Sequence, residues 1–382
     1  MNPQSDLATG RILIRGVNWL GDAVMTTPAL LRLRENFPAA HIALLTPEKL
    51  ADLWRGFPAV NEVIGFAAGE PVFSIARRLH TGRFTHAIVL PNSPRSALEV
   101  FLAGIPQRIG YDRPWRSWLL TQRVPARAQA VKMRKRSAAE IRRLIERQLD
   151  SPLAPQPRPA ALPAKAHQMH EYLHLMAALG ADPAPLAPSL QAVPFAATGL
   201  DRFFLPGSRR MGCLIGLNPG AEYGPAKRWP VASFAILANA LYRRLDCEFL
   251  ILGGPGDVAL AEHLRSLLPV PLAHGHMTSL AGKTRLGELM AALQACRVLV
   301  TNDTGPMHVA AALGTPVVAP FGSTSPELTG PGLPGDPRHH LLQSDAPCAP
   351  CFLRQCPIDF RCLKGVSEER VFAAVMAATG GR

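Results

Sequence analysis

Short apolar runs recur through the first hundred residues, and each is followed by a stretch with helical spacing. Ile12-Leu13-Ile14 leads into 23–35, Ile42-Ala43-Leu44-Leu45 into 48–54, Val63-Ile64 into 72–79, and Ala87-Ile88-Val89-Leu90 into 96–103. Runs this brief, rich in Val, Ile and Leu, read as strands buried on both faces, and the segments between them as helical crossovers. Together they predict an open α/β parallel sheet. The alternation restarts after residue 212, with apolar runs at 213–217, 249–252, 298–300 and 317–319 and helical patterns at 231–245, 258–267, 286–295 and 306–313. A second sheet of similar size is expected.

Two Pro- and Ala-rich stretches, 151–163 and 183–194, flank a helical segment at 166–179. Proline at that density continues neither helix nor sheet, so both stretches are read as linkers. The expected organisation is a first domain at 1–182, a linker at 183–205, a second domain at 206–365, and a tail at 366–382 whose helix packs back across the domain junction. A chain of 382 residues, 48% of them hydrophobic, has core enough for two domains. Ligands of open α/β sheets bind beyond the carboxyl ends of the strands, which points to a central cleft between the two domains.

Charge adds an anionic partner to this picture. The formal net charge is +13, and between Arg108 and Arg147 twelve Lys or Arg stand against Asp112, Glu140 and Glu146. Tyr111, Trp115 and Trp118 lie in the same stretch, so it reads as a docking surface or as a solvated basic helix and loop. No apolar run approaches the ~20 residues needed to cross a bilayer, and no export signal is apparent, so a cytoplasmic protein is expected. In a reducing compartment the seven cysteines do not suggest a disulfide framework. Cys348, Cys351, Cys356 and Cys362 nevertheless have near-zinc spacing. A bound metal is not expected, and a structural site at these four cysteines is the alternative.

Three loops carry residues suited to chemistry. The first strand runs through Arg15-Gly16-Val17-Asn18 to Gly21-Asp22, which puts one carboxylate at the mouth of the sheet. Asp22 is either a helix-capping residue or a base that takes a proton from a hydroxyl. The strand at 213–217 empties into a loop with Gly220, Glu222, Lys227 and Arg228, followed by a helix whose N-terminus adds positive potential, and this is a candidate diphosphate cradle. The strand at 298–300 ends in Asp303-Thr304-Gly305, with His308 one turn into the next helix. Asp257, after the strand at 249–252, could meet a ribose hydroxyl.

These motifs, from Asn218 to Pro230, from Thr301 to His308, and at Gly21-Asp22, resemble the lipopolysaccharide heptosyltransferases, glycosyltransferase family 9, in the same order along nearly the whole chain. The resemblance implies two Rossmann-like domains in the GT-B arrangement, with the acceptor on the first and an ADP-sugar on the second, and inversion at the anomeric carbon. It implies Asp22 as general base, Lys227 as the phosphate-binding lysine, and Asp303, Thr304, Gly305 and His308 as the donor-site turn, with Gly220, Glu222, Arg228 and Asp257 beside them. Arg15, Asn18, Arg113 and Arg116 are the candidate acceptor-binding residues. The implied donor is ADP-heptose and the acceptor is the Kdo/heptose-lipid A inner core. No cofactor is required, a monomer is expected at the cytoplasmic face of the inner membrane in peripheral contact with its anionic surface, and no nucleic-acid partner is expected. A GT-B sugar-nucleotide epimerase and a basic nucleic-acid-binding protein with a metal-bound tail are the alternatives.

Overall fold

The computed structural model describes residues 7, 9–150, 162–204 and 213–380. Most of the linker expected at 151–163, residue 205 of the second linker, the start of the second domain at 206–212 and the last two residues lie outside the described residues.

The chain divides into two compact units, the first formed by 1–130 and 165–191 and the second by 131–164 and 192–382. In the first unit, β1 (Arg11–Arg15), β2 (His41–Pro47), β3 (Glu62–Phe66), β4 (His86–Val89), β5 (Gln107–Tyr111) and β6 (Gln122–Val124) form one parallel sheet in the order β3-β2-β1-β4-β5-β6. Ile12, Leu13 and Ile14 of β1 are fully buried because the strand is central and helices cover both faces. The helix Leu20–Asn36 packs against the helix Met169–Ala177, which returns to this unit after the excursion at 131–164.

The second unit repeats the topology. β7 (Leu214–Asn218), β8 (Glu248–Ile251), β9 (Met277–Ser279), β10 (Val298–Thr301), β11 (Val317–Phe321) and β12 (His339–Gln343) are parallel in the order β12-β11-β10-β7-β8-β9. Both sheets are doubly wound, and the direction of winding reverses between β1 and β4 in one and between β7 and β10 in the other. Loops leaving the carboxyl ends of those strands diverge, and the divergence opens a crevice.

The basic segment is shared between the units. Residues 131–147, which composition assigns to the first domain, pack with the second. Ile141 and Ile145 of the amphipathic helix Ala138–Asp150 join that unit's core, and Arg136 donates from its backbone to the Cys351 carbonyl and from Nη1 to the Pro347 carbonyl. The C-terminal helix Glu368–Ala378 packs on the helix Val231–Arg244 and on β10–β12, all within the second unit. Four strands escape the hydrophobic pattern. β5, β6, β9 and β12 carry Gln, Arg, Thr or His and lie at or next to a sheet edge.

Candidate active site

Asn218 and Thr301 end the two strands that flank the reversal in the second sheet, and Asn218 Nδ2 donates to Thr301 Oγ1 at 2.9 Å. The next residue, Asn302, is fully buried and ties the loops together. Its Oδ1 accepts the Trp229 backbone N–H at 2.8 Å, and its Nδ2 donates to the carbonyls of Pro219 at 2.8 Å and Gly220 at 3.2 Å. Trp229 is itself buried, with Nε1 donating to the Val366 carbonyl at 2.9 Å and its ring edge-on to Phe234. Both ends of the Lys227 loop are thereby anchored by one amide.

Within that frame Lys227 Nζ donates to Asp303 Oδ2 at 2.6 Å, and Thr324 Oγ1 donates to the same oxygen at 2.5 Å. The Asp303 side chain is 5% exposed and the Lys227 side chain 14%. An ammonium has three N–H donors, and the one spent on Asp303 aims the others without consuming them. Lys227 also lies over the Tyr223 ring at 5.0 Å, and Arg354 stacks against the same ring at 5.1 Å. Tyr223 is fixed by its hydroxyl, which donates to the Phe352 carbonyl at 2.8 Å. Thr304 is the N-cap of the helix Gly305–Ala312, whose second position is Pro306, a residue with no amide hydrogen to leave unpaired. His308 is buried one turn in. Arg228 donates from Nη2 to the Ala221 carbonyl, while its buried Nε has no hydrogen-bond partner. Glu222 is exposed on the loop.

Gly220 and Asp257 approach so closely that a Cβ on residue 220 would overlap the Asp257 carboxyl group. Asp257 Oδ2 accepts the Gly254 N–H at 3.0 Å, which closes the turn after β8. The second sheet therefore gathers the Lys227 loop, the Asp257 turn and the Asp303-Thr304-Gly305 turn at its carboxyl edge.

In the first unit the helix after β1 starts at Leu20, with Trp19 as N-cap, so Asp22 sits inside the first turn and does not cap it. Its charge complements the N-terminal end of the helix dipole. Gln168 Nε2 donates to Asp22 Oδ1 at 3.2 Å and to the Tyr172 hydroxyl oxygen at 3.1 Å. Burial raises the Tyr172 phenol well above its ordinary pKa, and the charge of Asp22 adds to this, so Tyr172 stays neutral beside the carboxylate.

The candidate acceptor residues separate. Arg15 is buried in an ion pair with the fully buried Glu99, 2.8 Å from Nε to Oε2, and its Nη1 donates to the Gly16 carbonyl and to Asn18 Oδ1. Its described contacts are internal, and they hold the loop on which Asn18 lies. Arg113 is half-buried against Tyr111. Arg116 is fully buried, with Nη1 donating to the Pro91 carbonyl and Nε and Nη2 unpartnered, and burial lowers its pKa to about 10.

The profile of glycosyltransferase family 9 (heptosyltransferase) matches residues 72–360. The chain belongs to this family. It is 32% identical over 329 residues to lipopolysaccharide heptosyltransferase 2 of Escherichia coli (strain K12), covering 84% of this chain and 85% of that relative. Lipooligosaccharide heptosyltransferase 2 of Haemophilus influenzae is 30% identical over 327 residues, with 84% and 85% covered. The solved structure of E. coli ADP-heptose LPS heptosyltransferase II shares the fold with a TM-score of 0.73 at 27% identity, covering 97% of this chain and 99% of that one. Family membership makes this heptosyltransferase an enzyme of group transfer and sets aside the epimerase and nucleic-acid readings.

Several contacts have no local sequence signal. Thr324 and Gln168 touch Asp303 and Asp22, and Tyr172 touches Gln168, yet none of the three stands in a motif; Asn302 lies within the Thr301 to His308 motif, but its tie to Trp229, 73 residues away, is not written there. The cysteine-rich loop packs against the Lys227 loop: Cys351 and Phe352 donate backbone N–H groups to the Ser323 carbonyl, and Phe352 and Arg354 hold Tyr223 and Ala226. Cys348, Cys351 and Cys362 are buried in the core of the second unit, and Cys356 Sγ accepts the Phe360 N–H. Among the described residues no group of three or more His, Cys, Asp or Glu is placed to hold a metal ion.

Proposed function

We propose that this heptosyltransferase moves L-glycero-D-manno-heptose from ADP-heptose to the heptose/Kdo-lipid A inner core, with inversion at the anomeric carbon. The observation that carries the donor half is the Lys227–Asp303–Thr324 cluster, held by Asn302 at the winding reversal of the second sheet. A diphosphate there meets the ammonium's remaining donors and the N-terminus of the helix Gly305–Ala312. The unpartnered Arg228 Nε supplies a further donor, and Asp257 suits a ribose hydroxyl. As the bond from the anomeric carbon to the diphosphate breaks, negative charge grows on the leaving ADP, and Lys227 stabilises it.

The acceptor half rests on Asp22. An acceptor hydroxyl attacks the anomeric carbon, Asp22 accepts its proton, and Gln168 holds one carboxylate oxygen in place while the bond forms. Asn18 and Arg113 are the acceptor-side contacts we favour, with Arg15 acting through the loop. The lipid-anchored acceptor sets the reaction at the cytoplasmic face of the inner membrane, and a single chain contains both sets of residues.

Incubation with ADP-heptose and defined truncated lipopolysaccharides, followed by ADP release and acceptor mass, tests this reading. Acceptor-dependent ADP release and a mass gain of one heptose are expected, and their absence with every acceptor refutes it. Asp22→Asn should abolish transfer while ADP binding, measured by calorimetry, stays within about twofold of wild type. Loss of both would make Asp22 a structural residue.

A further inference from the structure

Four large apolar side chains stand in solvent together on the first unit. Trp115 is 85% exposed, Trp118 65%, Phe101 38% and Leu102 37%. Trp118 meets Phe101 edge-on, with ring centroids 5.9 Å apart, so the loop after β5 and the end of the helix Pro94–Leu102 form one patch. Burial drives such residues inward, and no described segment of the chain covers them.

The loop is built to keep them there. Trp115 has φ of +67°, a left-handed conformation that costs a bulky residue energy. The turn is locked around it: Asp112 N–H donates to the Val124 carbonyl, Arg113 N–H to Ser117 Oγ, Ser117 Oγ to the Arg113 carbonyl, and Leu119 N–H to the Arg116 carbonyl. Arg116 is buried beneath and donates to the Pro91 carbonyl. A floppy loop would fold its indoles back onto the surface, whereas this one presents them.

Two cations adjoin the patch: Arg108 lies 5.3 Å over the Phe101 ring, and Arg113 is half-buried on the loop. Asp112 is the acidic group of the loop, and its carboxylate accepts from Ser117. Indoles on an exposed turn, flanked by Arg108 and Arg113, match the headgroup level of an anionic bilayer, where an amphipathic ring sits with its body in acyl chains and its N–H in water. A protein partner of ordinary affinity needs about 800 Å² per side, a breadth that one turn and one helix end do not offer.

We infer that Trp115, Trp118, Phe101 and Leu102, with Arg108 and Arg113, form the surface by which the first unit docks on anionic phospholipid. This deepens the functional reading, on which it rests for its setting. Each arginine adds attraction that salt weakens, and the apolar tips add a part that salt does not.

The test is co-sedimentation of the full chain with vesicles of phosphatidylglycerol and phosphatidylethanolamine, against phosphatidylcholine vesicles. Binding to the anionic vesicles and a blue shift of tryptophan fluorescence are expected. The double variant Trp115→Ser/Trp118→Ser should bind them at least about tenfold more weakly and lose the shift. Ile236→Ser, which removes an exposed apolar side chain of the second unit, should bind like wild type. Transfer to a deacylated, soluble acceptor should be the same in all three proteins. Equal vesicle binding by the wild type and the double variant overturns the inference while leaving the functional reading intact. Absence of transfer by the wild type overturns that reading and not this surface. Concentration-dependent dimerisation lost in the double variant, without vesicle binding, would mean that a second copy of the chain covers the patch, and would also overturn the inference.

Discussion

Replacing Asn302 with alanine removes three hydrogen bonds from a residue that water does not reach. The Trp229 N–H and the Pro219 carbonyl each lose a partner at 2.8 Å, and the Gly220 carbonyl loses one at 3.2 Å. A buried polar group left unsatisfied costs about 1–3 kcal/mol, so the two short bonds alone set a loss of about 2–6 kcal/mol. A water entering the vacated volume would restore part of one bond, which favours the lower half of that range. Against a typical domain stability of about 5–15 kcal/mol this is a large fraction. Urea unfolding followed by tryptophan fluorescence should show the transition that reports on Trp229 moving to lower denaturant. ADP affinity should fall by about tenfold or more, because Gly220 and Lys227 ride on the freed loop. Asn302→Asp retains the acceptor for Trp229 but sets a carboxylate against two carbonyls, so it should be at least as unstable. A loss below about 1 kcal/mol in Asn302→Ala, with ADP affinity unchanged, would refute the claim that this amide holds the Lys227 loop.

Glu99→Ala strands the Arg15 guanidinium in the first unit and should cost about 3–5 kcal/mol in chemical denaturation, whereas the apolar pair Arg15→Met/Glu99→Leu should recover most of it. Gly224 has φ of +145°, and a Cβ there would lie 2.6 Å from the Arg354 carbonyl oxygen, so Gly224→Ala should destabilise the second unit by about 1–3 kcal/mol and weaken ADP binding in calorimetry. Hydrogen bonds from Arg338, outweighing partial burial, hold the Asp336 carboxyl at about 2, below its ordinary 3.8. A carboxylate depressed in the folded state stabilises above its unfolded pKa, and that contribution is lost as pH falls through about 2. The stability gap between wild type and Asp336→Asn should therefore be constant near neutrality and close as the pH of thermal melts is lowered from about 4 to about 2.

Local chemistry carried much of this fold into plain view. Central strands such as β1, β7 and β10 are apolar on both faces because helices cover both, and the helices between them repeat at a spacing that no other structure shares. Loops that leave such strands are where an open α/β sheet binds its ligands, so Lys227 and the Asp303-Thr304-Gly305 turn are candidates on sequence alone. The edge strands β6, β9 and β12 did not stand out, because they carry Gln, Arg, Thr or His where the central strands carry Val, Ile and Leu. Partnerships across distance were invisible for a different reason. Asp22 and Gln168 are 146 residues apart, and Asp303 and Thr324 are 21 apart, so nothing in the neighbourhood of either residue encodes the other. Arg15 shows the limit most clearly: a cation in a functional loop suggests a ligand, but the buried Glu99 contributed by another helix turns it inward. The route of the chain was hidden as well. Residues 131–147 look like an extension of the first domain, but the apolar face of Ile141 and Ile145, which needs a core to enter, and the hydrogen bonds of Arg136 take them into the second. A motif is a property of neighbours along the chain, whereas a site is a property of neighbours in space, which packing alone brings together.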